Sequence, residues 1–189
     1  KAFCHFCICE LDPITLTIIL YHHSRESYTE TVKVGFGAHE IKPTIPNPLD
    51  FSIFWRQTIK QARKTPLEVE RTPLPEYSTE EFEVQMVRIP IFEDGSCMYG
   101  YLTLPRDGKP HPVLFVPPGA GVKRIRPTQR YAKAGFITLE VEIHGMPVNA
   151  TDAFIAAKKE ELGEYWYTNI EQVDEYYYKK VYAGCVRSI

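Results

Sequence analysis

The fold class is indicated most clearly by the segment Val113-Leu114-Phe115-Val116-Pro117-Pro118-Gly119-Ala120-Gly121-Val122. Its first four residues are wholly apolar, which is typical of a short parallel strand covered on both faces. A helix is predicted from about Pro127 to Ala134, where Gly135 ends it, and a second buried strand from Phe136 to Val141. A strand, a glycine-containing loop, a helix and a second strand, in this order, predict an α/β fold.

The loop itself suggests chemistry, because Gly119 and Gly121 permit sharp turns and leave backbone amides unshielded by side chains. The loop does not have the residue spacing of the known phosphate-binding motifs. A Walker loop requires Gly-Lys-Ser/Thr where the chain has Gly121-Val122-Lys123-Arg124, and the dinucleotide fingerprint requires a third glycine at Arg124. A plain structural turn is one interpretation. The other is an oxyanion loop, for which the candidate N–H donors are Gly119, Ala120 and Gly121, since the preceding prolines have none.

The elements before this stretch are also predictable. Phe51, Phe54, Trp55 and Ile59 recur at helical spacing after a potential cap at Asp50, and Thr65-Pro66 ends the helix. Strands at 82–92 and 98–104 are joined by Asp94-Gly95, which predicts a hairpin.

The last part of the chain reads as a long loop followed by a helix. The loop runs from Glu142 to Thr168, with a short helix near 153–162, and loops of this length are often functional. The final helix is predicted from Glu171 to Ile189 after a cap at Asn169. The predicted apolar face consists of Val173, Tyr177, Val181 and Cys185, and Ala183-Gly184 forms a small patch suited to lie against a strand.

Residues 1–45 are predicted to be β-rich, with strands at 14–18 and 31–36 separated by a hairpin loop at 22–28. Cys4, Cys7 and Cys9 with His5 could suggest a metal site, but no second ligand pair stands at zinc-finger spacing. Their alternation with apolar residues favours a strand, so we expect no metal.

Composition excludes several classes of function. The net charge of −2 offers no basic surface for nucleic acid, and no apolar run reaches the length of a membrane span. Five cysteines form no paired framework. The chain starts at Lys1 without a classical signal peptide, and a cleaved leader is compatible with that start. Localisation stays open, with a periplasmic or secreted protein favoured over a cytoplasmic one.

Residues 46–189 resemble the acetyl xylan esterase and cephalosporin-C deacetylase family, in its Bacteroides-type branch. Four segments carry the resemblance: Asp50-Phe51 with Phe54-Trp55, the loop Val116–Val122, the turn Glu142-Ile143-His144-Gly145-Met146-Pro147, and the tyrosine-rich Tyr176-Tyr177-Tyr178-Lys179-Lys180-Val181-Tyr182 continuing to Ile189. The last segment is the most specific. The residues ahead of Pro46 are similar to the β-rich extension that precedes the hydrolase domain in this branch.

The resemblance implies an α/β fold with two parts: a β-rich extension over 1–45 and, over 46–189, the N-terminal half of an α/β-hydrolase sheet. It implies a carbohydrate esterase that removes acetyl groups from xylan-type sugars through a serine acyl-enzyme, without a cofactor. It also implies a homo-oligomer, with Tyr176, Tyr177 and Tyr178 at the pocket or at the subunit contact. Their alternative role is helix packing.

The sequence departs from the family at two motifs. The family has a Gly-Tyr-x-Gly-Gly loop, whose tyrosine position falls at about Ala120, and an Asp-x-Arg-Gly turn that reads Glu142-Ile143-His144-Gly145 here. We therefore expect His144 to be a turn residue and not a catalytic base.

The serine nucleophile is also missing from the sequence. None of the six serines is flanked by glycines two positions before and after it, as the nucleophile elbow requires: Ser24, Ser27, Ser52, Ser78, Ser96 and Ser188. We expect the elbow, the acid and the histidine to follow Ile189. Two alternatives remain at this point: a non-catalytic carbohydrate-binding or interaction module, and a different hydrolase, such as a peptidase, on the same fold.

Overall fold

The computed structural model describes the backbone of Phe3–Cys7, Thr15–His22 and Arg25–Lys33, together with all of residues 45–189. The chain divides after Pro48 into two compact units. In the first unit, three antiparallel strands lie in the order β1 (Phe3–Cys7), β2 (Thr15–His22) and β3 (Arg25–Lys33).

The strands predicted in this first unit are confirmed, but the hairpin loop predicted at 22–28 is wrong. The second strand continues to His22 and the third already begins at Arg25. Antiparallel pairing of Tyr21 with Glu26 and of His22 with Arg25 extends the ladder into this polar stretch. The predicted continuation to Phe36 and the side chains of the cysteine-rich segment lie outside the described residues.

The second unit is built on a five-stranded mixed sheet with the order β4-β5-β6-β8-β7. Its strands are β4 (Glu70–Pro73), β5 (Phe82–Pro90), β6 (Cys97–Pro105), β7 (Val113–Val116) and β8 (Ile137–Glu142). Strands β4, β5, β6 and β8 pair antiparallel in succession, and β7 pairs parallel with β8. The predicted hairpin joins β5 to β6, with Gly95 at φ +84° and the Ser96 N–H donating to Asp94 Oδ1.

The second unit has four described helices: α1 (Phe51–Ala62), α2 (Gln129–Lys133), α3 (Asp152–Leu162) and α4 (Tyr177–Arg187). Helices α1 and α4 lie on one face of the sheet and α2 on the other. Leu139 and Val141 of β8 pack in one core with Ala62 of α1 and Ala183 of α4. Glu140 points to the opposite face, where its carboxylate accepts the Thr128 N–H at the start of α2. The predicted α/β architecture is confirmed.

Helix α4 lies close against the sheet through its small residues, as predicted. A Cβ added to Gly184 would stand 2.6 Å from Met98 Cε and 2.9 Å from Ile91 Cδ1. The predicted start of this helix at Glu171 is wrong, because the helix begins at Tyr177. Asn169 adopts a left-handed φ of +57° and caps no helix. Val173 lies in the turns between Asn169 and the start of the helix, and it is 59% exposed.

Strand β7 forms one edge of the sheet among the described strands. Val113 is 67% exposed, and Leu114, Phe115 and Val116 are half-buried. Within the described residues the strand is therefore not fully covered, although its wholly apolar sequence is typical of a strand covered on both faces. An apolar strand with unpaired backbone groups along one side is a place where a further strand can add.

Candidate functional site

The candidate site lies where β7 and β8 end. Because the two strands are parallel, the loop at 117–122 and the turn at 142–147 follow them at the same edge of the sheet. This carboxyl edge is where open α/β sheets bind ligands. Val122 of the loop and Met146 of the turn are buried in one cluster with Tyr165, Tyr177 and Val181.

The three candidate donors in the loop differ in their surroundings. The Gly121 N–H donates to the Tyr165 hydroxyl at 3.1 Å, and Gly121 has a φ of +97°, a conformation that favours glycine. Gly119 and Ala120 are exposed, and within residues 45–189 their N–H groups donate to no protein acceptor. The loop therefore leaves two adjacent amides free while the third is held inward.

Glu142 holds the neighbouring turn in shape. The residue is only 3% exposed, and its carboxylate accepts the N–H groups of His144 and Met146 at 2.8 Å each. Gly145 turns the chain with a φ of +71°. A glutamate thus organises the turn where the related family has an aspartate. Burial raises the pKa of Glu142 to about 7, although the accepted backbone hydrogen bonds act in the opposite direction.

His144 is a buried member of this turn. Its Nδ1 lies 2.7 Å from the Tyr177 hydroxyl, and its ring meets Tyr165 edge-on with centroids 4.7 Å apart. Burial lowers the pKa of His144 and raises the pKa of Tyr177, so the imidazole is neutral and the phenol is protonated. A hydrogen bond between two neutral groups therefore joins Nδ1 and the hydroxyl, and its direction follows the tautomer of the imidazole. The prediction that His144 is a turn residue is confirmed by its position.

The three tyrosines that were predicted at the pocket or at the subunit contact lie in different surroundings. Tyr177 is buried beside His144, and Tyr178 packs against Tyr165 and Tyr182 at the border of the same core. Tyr176 donates its hydroxyl to the Trp166 carbonyl at 3.2 Å. Helix packing thus accounts for Tyr177 in the described chain, and a role at a substrate pocket or subunit contact stays a prediction.

Tyr165 is the residue at this site that the sequence analysis did not identify. It lies in a 3-10 turn over Tyr165–Tyr167, is 2% exposed and contacts both the loop and His144. No spacing rule marks it, since the turn forms within the long segment between α3 and α4. The sequence signal that could have pointed to Tyr165 was the length of the predicted loop from Glu142 to Thr168, in which it lies.

A lysine also lies beside the aromatic cluster. Lys180 Nζ stands 4.4 Å from the centre of the Tyr177 ring, a cation–π geometry, and burial lowers the pKa of this lysine. Across residues 45–189, no group of three His, Cys, Asp or Glu side chains is arranged to hold a metal ion. No helix in the described part of the chain has the length and apolar character needed to cross a membrane.

Comparison with known proteins agrees with this architecture. The family model for acetyl xylan esterase (AXE1) matches residues 37–189. The acetyl esterase Axe7A of Xylanibacter ruminicola is 41% identical over 169 residues, which cover 86% of this chain and 38% of that protein. The chain thus spans well under half the length of this curated relative.

Two solved structures share the fold. The acetyl xylan esterase from Paenibacillus sp. R4 matches with a TM-score of 0.62 and 24% identity, covering 79% of this chain and 48% of that chain. Acetyl xylan esterase 1 from Thermoanaerobacterium sp. JW/SL YS485 matches with a TM-score of 0.57 and 15% identity, covering 76% and 45%. With the family model matching most of its length, this chain belongs to the acetyl xylan esterase family.

Proposed function

We propose that this chain is the oxyanion-loop portion of a carbohydrate esterase that removes acetyl groups from xylan-type or related acetylated sugars. The observation that carries the proposal is the pair of free amides at Gly119 and Ala120, at the carboxyl edge of a parallel strand pair in a member of this family. Ester hydrolysis develops negative charge on the carbonyl oxygen, and two adjacent N–H donors stabilise such charge.

The reaction also requires a nucleophile, which we assign to a part of the protein beyond these residues. None of the six serines has the glycines of a nucleophile elbow, as the family's strand-to-helix turn would require. A serine there would attack the acetyl carbonyl and displace the sugar hydroxyl, and water would then release acetate from the acyl-enzyme. The strand carrying that serine is proposed to add at the open edge of β7.

Acetate release from acetylated xylo-oligosaccharides tests the proposal. The whole protein should release acetate, and residues 1–189 alone should release none above the buffer rate. Binding of xylan by the whole protein without any acetate release would favour a carbohydrate-binding module instead. Turnover by residues 1–189 that disappears when one particular serine is replaced would contradict the assignment of the nucleophile outside this segment.

The oxyanion role has its own test in the loop. Gly119→Pro in the whole protein deletes one N–H donor and should lower kcat by the equivalent of about 2.7–4 kcal/mol. Gly119→Ala is the matched control, because it keeps the N–H and its Cβ would meet only the flexible Lys123 Nζ at 3.3 Å. If the proline variant retains the kcat of the alanine variant, Gly119 is not an oxyanion donor.

A further inference from the structure

We infer that Tyr165 is a positioning residue for the loop at 117–122: its hydroxyl holds the Gly121 N–H inward and leaves Gly119 and Ala120 as the two donors. This inference rests on the proposed oxyanion role of the loop and narrows its three candidate donors to two. Tyr165 reaches the loop from far along the chain, with its hydroxyl 3.1 Å from the Gly121 nitrogen.

The loop needs such support because the part that follows the rigid Pro117 and Pro118 supplies little rigidity of its own. Gly119 and Ala120 are exposed, and glycine carries no side chain that could anchor the backbone by packing. A donor displaced by about 1 Å from the developing oxyanion can cost a hundredfold in rate. A hydrogen bond at the end of the loop therefore bears directly on where its free amides lie.

Tyr165 is itself fixed on several sides. Its ring is 2% exposed and packs at 4.7 Å from His144 and 5.1 Å from Tyr177, measured between ring centroids. His144 is in turn hydrogen-bonded to the Tyr177 hydroxyl at 2.7 Å. These three aromatic side chains form a rigid base from helix α4, the turn after β8 and the 3-10 turn, and the Tyr165 hydroxyl joins this base to the loop.

Amide hydrogen exchange on the whole protein tests the bond directly. The Gly121 amide should exchange more slowly than the amides of Gly119 and Ala120, since within residues 45–189 it alone of the three has a protein acceptor. In Tyr165→Phe, which keeps the ring and removes the acceptor, Gly121 should exchange as fast as Ala120. Rapid exchange of Gly121 in the unmodified chain would overturn the inference.

Steady-state kinetics of the whole protein tests the consequence. Tyr165→Phe should lower kcat by about tenfold to a hundredfold with KM unchanged, since the bond affects donor placement and not sugar binding. Tyr167→Phe is the matched control, because it removes a hydroxyl from the same turn at a position that is 60% exposed. A Tyr165→Phe enzyme with the kcat of the Tyr167→Phe enzyme would overturn the positioning role.

The two proposals fail in different ways. If Gly119→Pro retains full kcat, Gly119 is not an oxyanion donor and the proposed pair of donors fails, whatever Tyr165→Phe does. If Gly119→Pro abolishes turnover while Tyr165→Phe retains it, the oxyanion role stands and only the positioning role of Tyr165 is wrong. Loss of kcat in both variants supports both proposals.

Discussion

The Nδ1 atom of His144 lies 2.7 Å from the hydroxyl oxygen of Tyr177, and both side chains are buried. The bond joins the turn after β8 to the first turn of α4, so it connects two elements that are 33 residues apart. Burial lowers the pKa of His144, so the ring can make this hydrogen bond without carrying a charge into the core.

Tyr177→Phe should therefore destabilise the second unit. The substitution keeps the ring but leaves the buried Nδ1 of His144 without its hydrogen-bond partner, which costs about 1–3 kcal/mol of the free energy of unfolding. Urea denaturation measures the difference. Tyr182→Phe is the control, because Tyr182 lies on the same helix and is 53% exposed. Equal midpoints for the two variants would contradict a structural role for the His144–Tyr177 bond.

Glu142 should make stability depend on pH near neutrality. Its pKa rises from an ordinary 4.5 to about 7 in the folded chain, so the folded state binds more protons than the unfolded state between these values. Stability contributed by the protonated carboxyl is then present below about pH 4.5 and lost as the pH rises through about 7. The loss is on the order of 3 kcal/mol at most.

Glu142→Gln should remove this pH dependence. The wild-type free energy of unfolding should fall relative to that of the variant between pH 5 and pH 8, and ¹³C titration of the Glu142 carboxyl should give a midpoint near 7. Glu93→Gln, which changes an exposed glutamate, serves as the control. Parallel stability curves for wild type and Glu142→Gln would show that the carboxyl is not perturbed.

Gly100→Ala should disrupt the centre of the sheet. A Cβ at this position would stand 2.8 Å from the Glu140 carbonyl oxygen on the neighbouring strand β8, and that backbone atom cannot rotate away. Overpacking of this kind costs about 1–3 kcal/mol. Gly119→Ala is the control, because it makes the same change in residue type at an exposed position where the new Cβ meets only the flexible end of Lys123. Denaturation midpoints that match for the two variants would show that β6 and β8 do not approach so closely.

The edge of β7 should make the chain self-associate when residues 1–189 are prepared alone. Val113 is 67% exposed on an edge strand with no described partner on its outer side, and apolar edges pair with other chains. Light scattering after size exclusion should detect oligomers, and Val113→Lys should shift them toward monomer. Val173→Lys, at a valine 59% exposed in a turn, should not. A wild-type chain that stays monomeric at high concentration would contradict edge pairing.

The sequence alone determined the elements whose signals are local. Val113–Val116, the Asp94-Gly95 hairpin and the apolar spacing of α1 and α4 depend on neighbouring residues, so their patterns appear in a single chain. The same locality explains the error at α4. Val173 continues the helical spacing, but the left-handed Asn169 and the turns after it hold that segment out of the helix.

The tertiary structure decided which of these residues meet. The sheet order places β8 between β6 and β7, and this brings the turn at 142–147 beside the loop at 117–122. Only then can Tyr165, 44 residues from Gly121, accept its N–H, and only then does His144 find Tyr177. The sequence does not distinguish the three amides of the loop, because a hydrogen bond between distant segments leaves no periodic pattern in either segment. Their separation into one held and two free donors belongs to the fold.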